Sequence, residues 1–152
     1  MKPAYVASNP DYAVQLKNLV LAMPMAKWLG IQFVRVEPGE VELDIAYREE
    51  LSFVPGKMQA TAIFAAADFA GISAAGTLLP PGWINASIDS NLKIVAPADG
   101  EKLRARGRVV SHGKLLTVSA AEVFSVCDGE EVLCATALLT ARNIELQKNK
   151  RT

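Results

Sequence analysis

Between Lys57 and Asp89 the chain carries one formally charged side chain, Asp68, in the middle of the alanine-rich run PGKMQATAIFAAADFAGISAAGTLLP, Pro55 to Pro80. Alanine has the highest helix propensity, so the run predicts a helix over 59–76, ended by Pro80-Pro81-Gly82. A helix this apolar must be enclosed, and an ionised carboxylate inside it is costly unless it has hydrogen-bond partners, a raised pKa or a wet cleft beside it. Each condition makes Asp68 a candidate site. The plain alternative is a structural carboxylate bonded within a dimer interface. Gly71 and Gly76 lower helix propensity by about 1 kcal/mol each, so they are expected to let another backbone come close.

Around this helix the hydrophobic period divides the chain. Residues 11–22 partly fit helical spacing, with Asn9 or Asp11 as cap, and Pro24–Leu29 reads as a short second helix closed by Gly30. Ile31–Glu37 and Val41–Tyr47 read as a hairpin across Pro38-Gly39. After the long helix the period becomes two. Trp83–Val95 sets Ile84, Ala86, Ile88, Leu92 and Ile94 against Asn85, Ser87, Asp89, Asn91 and Lys93. Leu103, Ala105, Gly107 and Val109 then alternate with Lys102, Arg104, Arg106 and Arg108. Lys114–Cys127 and Val132–Arg142 flank the turn Asp128-Gly129. Short turns among these last four strands predict a meander, and an enclosed alanine helix requires that the sheet curl around it. The expected organisation is an α+β chain with an N-terminal arm and helix over 1–23, one domain over 24–143 and a polar tail over 144–152.

Composition removes several classes. Sixteen basic and sixteen acidic residues give a net charge of zero, which argues against affinity for nucleic acid through a general positive field. No apolar run reaches the roughly 18 residues of a membrane span, and no basic-then-apolar opening marks a secretory signal, so a cytoplasmic protein is expected. Cys127 and Cys134 would not lie opposite one another in a tight hairpin, so both are expected as thiols. A lone His112 beside a turn and the absence of metal-ligand spacing give no metal site.

A first hairpin, one long helix, then four strands resembles the hotdog fold: a long central helix wrapped by a curved antiparallel sheet of about six strands. The local pattern resembles the phenylacetate-degradation-type acyl-CoA thioesterases within it. That family carries His-Gly-Gly at the helix start and an Asp nine residues after the His; the matching positions here are Gln59, Ala60, Thr61 and Asp68. Neither the His nor either Gly is kept. Ala86-Ser87-Ile88-Asp89-Ser90-Asn91 is similar to the family's third strand, with Ser87 at the position that faces the reacting centre across a subunit boundary, and Gly113-Lys114 resembles a turn that approaches coenzyme A.

The resemblance implies an acyl-CoA thioesterase with no cofactor beyond its coenzyme A thioester substrate. Asp68 would serve as base or nucleophile, and the backbone N–H of Ala60 or Thr61 would polarise the carbonyl. Gln59 would supply an amide in place of the His, and Ser87 of a partner chain would orient the water or the carboxylate. Phe53, Met58, Phe64 and Phe69 would line a channel for a medium or aromatic acyl group. Arg106 and Arg108, chosen from the cationic stripe, would meet coenzyme A phosphates. Sheet edges and one helix face left open by a single copy imply a homodimer or a dimer of dimers. Two alternatives stay open on the same fold, a non-catalytic acyl-CoA or fatty-acid binding protein and an enoyl-thioester hydratase or dehydratase. A purely structural dimerisation domain is a third.

Overall fold

The computed structural model describes residues 5–147. Three helices, α1 (Tyr12–Leu21), α2 (Pro24–Leu29) and α3 (Ala60–Gly76), accompany strands β1 (Gln32–Glu37), β2 (Glu40–Ala46), β3 (Ser52–Val54), β4 (Lys57–Met58), β5 (Trp83–Ile94), β6 (Lys102–His112), β7 (Leu116–Cys127) and β8 (Glu130–Glu145). A six-stranded antiparallel sheet in the order β1-β2-β6-β7-β8-β5 wraps α3, and β3 and β4 form a separate small hairpin. The expected curved sheet around a central helix is present. Its topology is not the expected four-strand meander: only β6, β7 and β8 run in succession, while β5 lies beyond β8 at the edge. The segment 95–101 carries the chain from the β5 edge to β6, which joins the first hairpin through β2.

Alanine lets the sheet close tightly on α3. Ala66, Ala70, Ala74 and Ala75 are fully buried, and the backbone of β6 at Gly107 lies against the Ala70 carbonyl and the Gly71 nitrogen. The glycine that admits a second backbone is therefore Gly107 rather than Gly71 or Gly76. Gly71 accommodates the Leu139 side chain, and Gly76 that of Leu16. Buried hydroxyls and an amide dock the helix. Ser119 Oγ donates to the Gly71 carbonyl at 2.8 Å, Asn85 Nδ2 to that of Ile72 at 3.0 Å, and Thr77 Oγ1 accepts the Gly39 N–H at 2.7 Å. Each satisfies a polar group that burial would otherwise leave costly.

The turns follow their sequence. Asp128 and Gly129 both have positive φ, 49° and 78°, as a two-residue hairpin turn of type I′ requires. The tail is ordered further than the expected boundary at 143: β8 continues to Glu145, and the Leu146 N–H donates to the Gly82 carbonyl. The rest of the expected tail, 148–152, lies outside the described residues.

On the outer face the cationic stripe of β6 is matched by acids. Asp44 accepts from Arg104 through both oxygens, at 2.8 and 2.9 Å, and from Lys102 at 2.8 Å. Burial pushes the Asp44 carboxyl up, but Arg104 and Lys102 outweigh it and hold it below the ordinary carboxylate value. A lowered folded-state pKa gives stability that is present above the unfolded pKa and lost as pH falls through the folded one. Asp44→Ala is expected to cost about 1–2 kcal/mol at pH 7, since it removes the partner of Lys102 and leaves Arg104 only its longer contacts with Glu42 and Glu131 at 3.5 Å, in a partly screened site. In urea titrations the gap to wild type should narrow as pH drops below about 4; a gap independent of pH would show that the pairs contribute nothing.

Candidate active site

Although most of α3 is enclosed, one stripe is not. Thr61, Phe64, Ala65, Asp68 and Ile72 form a stripe along the axis that is exposed or half-buried, with Phe69 half-buried beside it, while the remaining faces are filled by buried alanines, Ile63, Gly71 and Ser73. Asp68 thus lies on the single open stripe of an apolar helix. It has both hydrogen-bond partners and an open side.

Its partners come from β5. Ser87 Oγ donates to Asp68 Oδ1 at 2.9 Å and Ser90 Oγ to the same oxygen at 3.3 Å. Strict alternation would put residues three apart on opposite faces, but the register shifts between Ser87 and Asp89. Ile88 is the extra residue of this bulge and stands 56% exposed. Asn85 and Ser87 face the helix before it, Ser90 and Leu92 after it. Of the apolar side expected from alternation, Ile84, Ala86, Ile88, Leu92 and Ile94, Leu92 packs against the core, and Asn85, Ser87 and Ser90 share its face. Ser87 reaches Asp68 within one chain. Asp68 Oδ2 has no donor among the described residues.

At the helix start Gln59 is the N-cap, and its Oε1 accepts the Thr61 N–H at 3.2 Å. The Thr61 donor is thereby occupied. Among the described residues the N–H of Ala60, exposed at the first helical position, has no acceptor. Ala60 and Asp68 are eight residues apart, about 12 Å along the axis.

Beside the helix start lies a cavity of about 340 Å³. α2 contributes Met25, Trp28 and Leu29 to it, the turn at 49–51 contributes Glu50 and Leu51, and α3 closes it with Gln59, Thr61, Ala62 and Ala65. The expected channel residues lie elsewhere. Met58 is buried in the core, Phe53 stands 62% exposed, Phe69 packs half-buried against the core, and Phe64 lies on the open stripe without lining the cavity. This cavity could not be read from aromatics near the helix in sequence, because much of its wall comes from α2 and the 49–51 turn.

Arg106 is not available as expected. Its guanidinium is held by Glu42 at 2.8 Å and by both Glu131 oxygens at 2.7 Å, over the Phe124 ring. Arg108 is exposed and makes no ion pair among the described residues, but alternation puts it on the sheet face away from α3, opposite Gly107 and Val109. Gly113 and Lys114 form the β6–β7 turn, where both carbonyls accept from Asn143 Nδ2. His112 is bonded to Thr117 Oγ1 at the same turn. Neither thiol is an obvious nucleophile: burial pushes Cys134 up to about 11, and Asp128 first of all raises the exposed Cys127. No helix among the described residues is long and apolar enough to cross a membrane.

No family model matches the chain. A candidate esterase of Saccharolobus solfataricus is 30% identical over 128 residues, spanning 83% of this chain and 81% of that protein. A thioesterase family protein from Silicibacter pomeroyi superposes with a TM-score of 0.85 at 28% identity, covering 88% of this chain and 98% of that one. The PaaI protein from the phenylacetic acid degradation operon of E. coli shares the fold, with a TM-score of 0.80 at 16% identity over 93% and 99% of the two chains. With the wrapped central helix, the open carboxylate and a relative matched across most of both lengths, this chain belongs to the hotdog-fold thioesterase family.

Proposed function

We propose that the protein hydrolyses acyl-CoA thioesters, with Asp68 as base or nucleophile, in a site completed by a second copy of the chain. The observation that carries this reading is the half-bonded carboxylate: Ser87 and Ser90 hold half-buried Asp68 through Oδ1 on the open stripe of α3, and Oδ2 has no donor among the described residues. Oδ2 takes a proton from the water that attacks the carbonyl carbon, or attacks that carbon itself to form a mixed anhydride that a water then hydrolyses, releasing the acid and restoring the carboxylate. The carbonyl carbon becomes tetrahedral, and its oxygen is held by the Ala60 N–H at the positive end of the helix. Collapse breaks the C–S bond, and the coenzyme A thiolate leaves and is protonated.

Base and donor about 12 Å apart on one straight helix cannot meet at one carbonyl. Two antiparallel copies of α3, related by a two-fold axis, bring the Ala60 of one to the Asp68 of the other. The edges of the sheet favour this pairing. β1 offers six residues, whereas β5, though it carries the Ile88 bulge, Asp89 and Lys93, presents twelve residues with Ile88 and Ile94 exposed. Pairing through β5 would extend two sheets into one and cover both open stripes.

Thiol release from an acyl-CoA panel by wild type and Asp68→Asn tests the reading. Ser90→Ala is expected to lower kcat about tenfold with KM little changed, and Ser90→Thr to restore it; equal loss in both variants would make Ser90 a packing residue only. A second reading, acyl-CoA binding without hydrolysis, is favoured by one observation: Gln59 already occupies the Thr61 N–H, leaving a single free donor. Saturable binding with no thiol release across the panel would establish it.

A further inference from the structure

We infer that the cavity between α2, the 49–51 turn and the start of α3 is an acyl chamber for uncharged acyl groups of limited size, with Glu50 rejecting acyl groups that end in a carboxylate. This rests on the thioesterase reading for its carbonyl position. Gln59 and Thr61 flank Ala60 and also line the cavity, so a carbonyl held at the Ala60 N–H directs its acyl tail into this space. At about 340 Å³ it lies at the small end of ligand-sized pockets.

The walls are built to be selective. Their apolar part is Met25, Trp28, Leu29, Leu51, Ala62 and Ala65, which suits hydrocarbon. Ala65 sits one turn from Asp68 on the open stripe, so a larger side chain there shortens the chamber. Trp28 is half exposed and is latched across the cavity rim: Arg48 stacks on its ring at 5.4 Å and donates through Nη2 to its carbonyl. The latch joins α2 to the segment carrying Glu50, fixing the width between them. Glu50 is the one charged group on the lining. It makes no ion pair among the described residues, so its negative charge faces whatever enters. A neutral tail passes it, whereas a terminal carboxylate meets like charge beside an apolar wall.

The test is the ratio of kcat/KM values for butyryl-, octanoyl-, palmitoyl- and adipoyl-CoA. Wild type should prefer octanoyl- to adipoyl-CoA, and Glu50→Gln should raise the adipoyl-to-octanoyl ratio by about tenfold. Trp28→Ala should raise the palmitoyl-to-octanoyl ratio, and Ala65→Leu should lower the octanoyl-to-butyryl ratio. Ratios unmoved in all three folded variants, with thiol still released, would overturn the chamber and leave the thioesterase reading standing. If wild type releases no thiol, Trp28 emission in a Trp83→Phe background decides the chamber alone, since these are the two tryptophans of the chain. A response to octanoyl-CoA and none to adipoyl-CoA supports it; no response to either overturns it.

Discussion

Asp68→Asn is expected to lower thiol release from acyl-CoA by about 10³-fold while leaving the melting temperature nearly unchanged, because the substitution would remove proton transfer but little packing. The asparagine retains a carbonyl oxygen for Ser87 and Ser90 to donate to, and the side chain lies on the open stripe rather than in the core. A loss of less than threefold would remove Asp68 from the mechanism. The same variant tests whether the site is shared. Ala60→Pro deletes the proposed oxyanion donor at a position suited to proline, the first residue of the helix, preceded by Gln59 at φ −67° and ψ 146°. Each variant alone should be inactive. Dimers reassembled from equal amounts of the two should regain activity, since a mixed dimer holds one site with both groups intact. A mixture as inactive as its parts would mean that base and donor come from one chain, or that Ala60 is not the donor; activity retained in Ala60→Pro alone would point to the latter.

Gly107→Ala should destabilise the fold by about 3 kcal/mol or more, the largest stability effect expected of a single methyl group here. A Cβ at this position would lie 2.7 Å from the Gly71 nitrogen and closer still to the Ala70 carbonyl. Both are helix backbone, which cannot rotate away as a side chain can. Relief requires separating β6 from α3, and Ala105 and Val109 on the same inner face would lose contact with it. Denaturant unfolding measures this directly. A midpoint close to wild type would show that the helix slides without cost. Gly71→Ala is expected to be milder, because its nearest obstacle is the Leu139 side chain, which has rotamers to use.

Much of the architecture was legible because local chemistry repeats itself along the chain. Alanine content between two proline-bearing turns defined α3 to within a residue, and the Leu103–Val109 alternation assigned both faces of β6 correctly. Asp128-Gly129 specified its own turn, since few other pairs accept positive φ twice. Asp68 was marked by isolation: a charge with no charged neighbour for ten residues on one side and twenty on the other needs a reason.

What the sequence by itself determined is therefore the three helices, the six strands of the main sheet and which carboxylate stands apart, since these depend on residues a few positions away, while the β3–β4 hairpin lies where the sequence reads as a loop. Only the tertiary structure decided the rest. The position of β5 beside β8 depends on which strand edge is free, and no local pattern records that. The bulge at Ile88, which turns both Ser87 and Ser90 toward Asp68, arises from register against β8 rather than from a glycine or proline in β5. The commitment of Arg106 depends on Glu42 and Glu131, distant in sequence and adjacent only across the sheet, and the cavity at the helix start depends on α2 folding back over it. Secondary structure is encoded by spacing along the chain, whereas a site is made by groups that meet only after the sheet has closed on its helix.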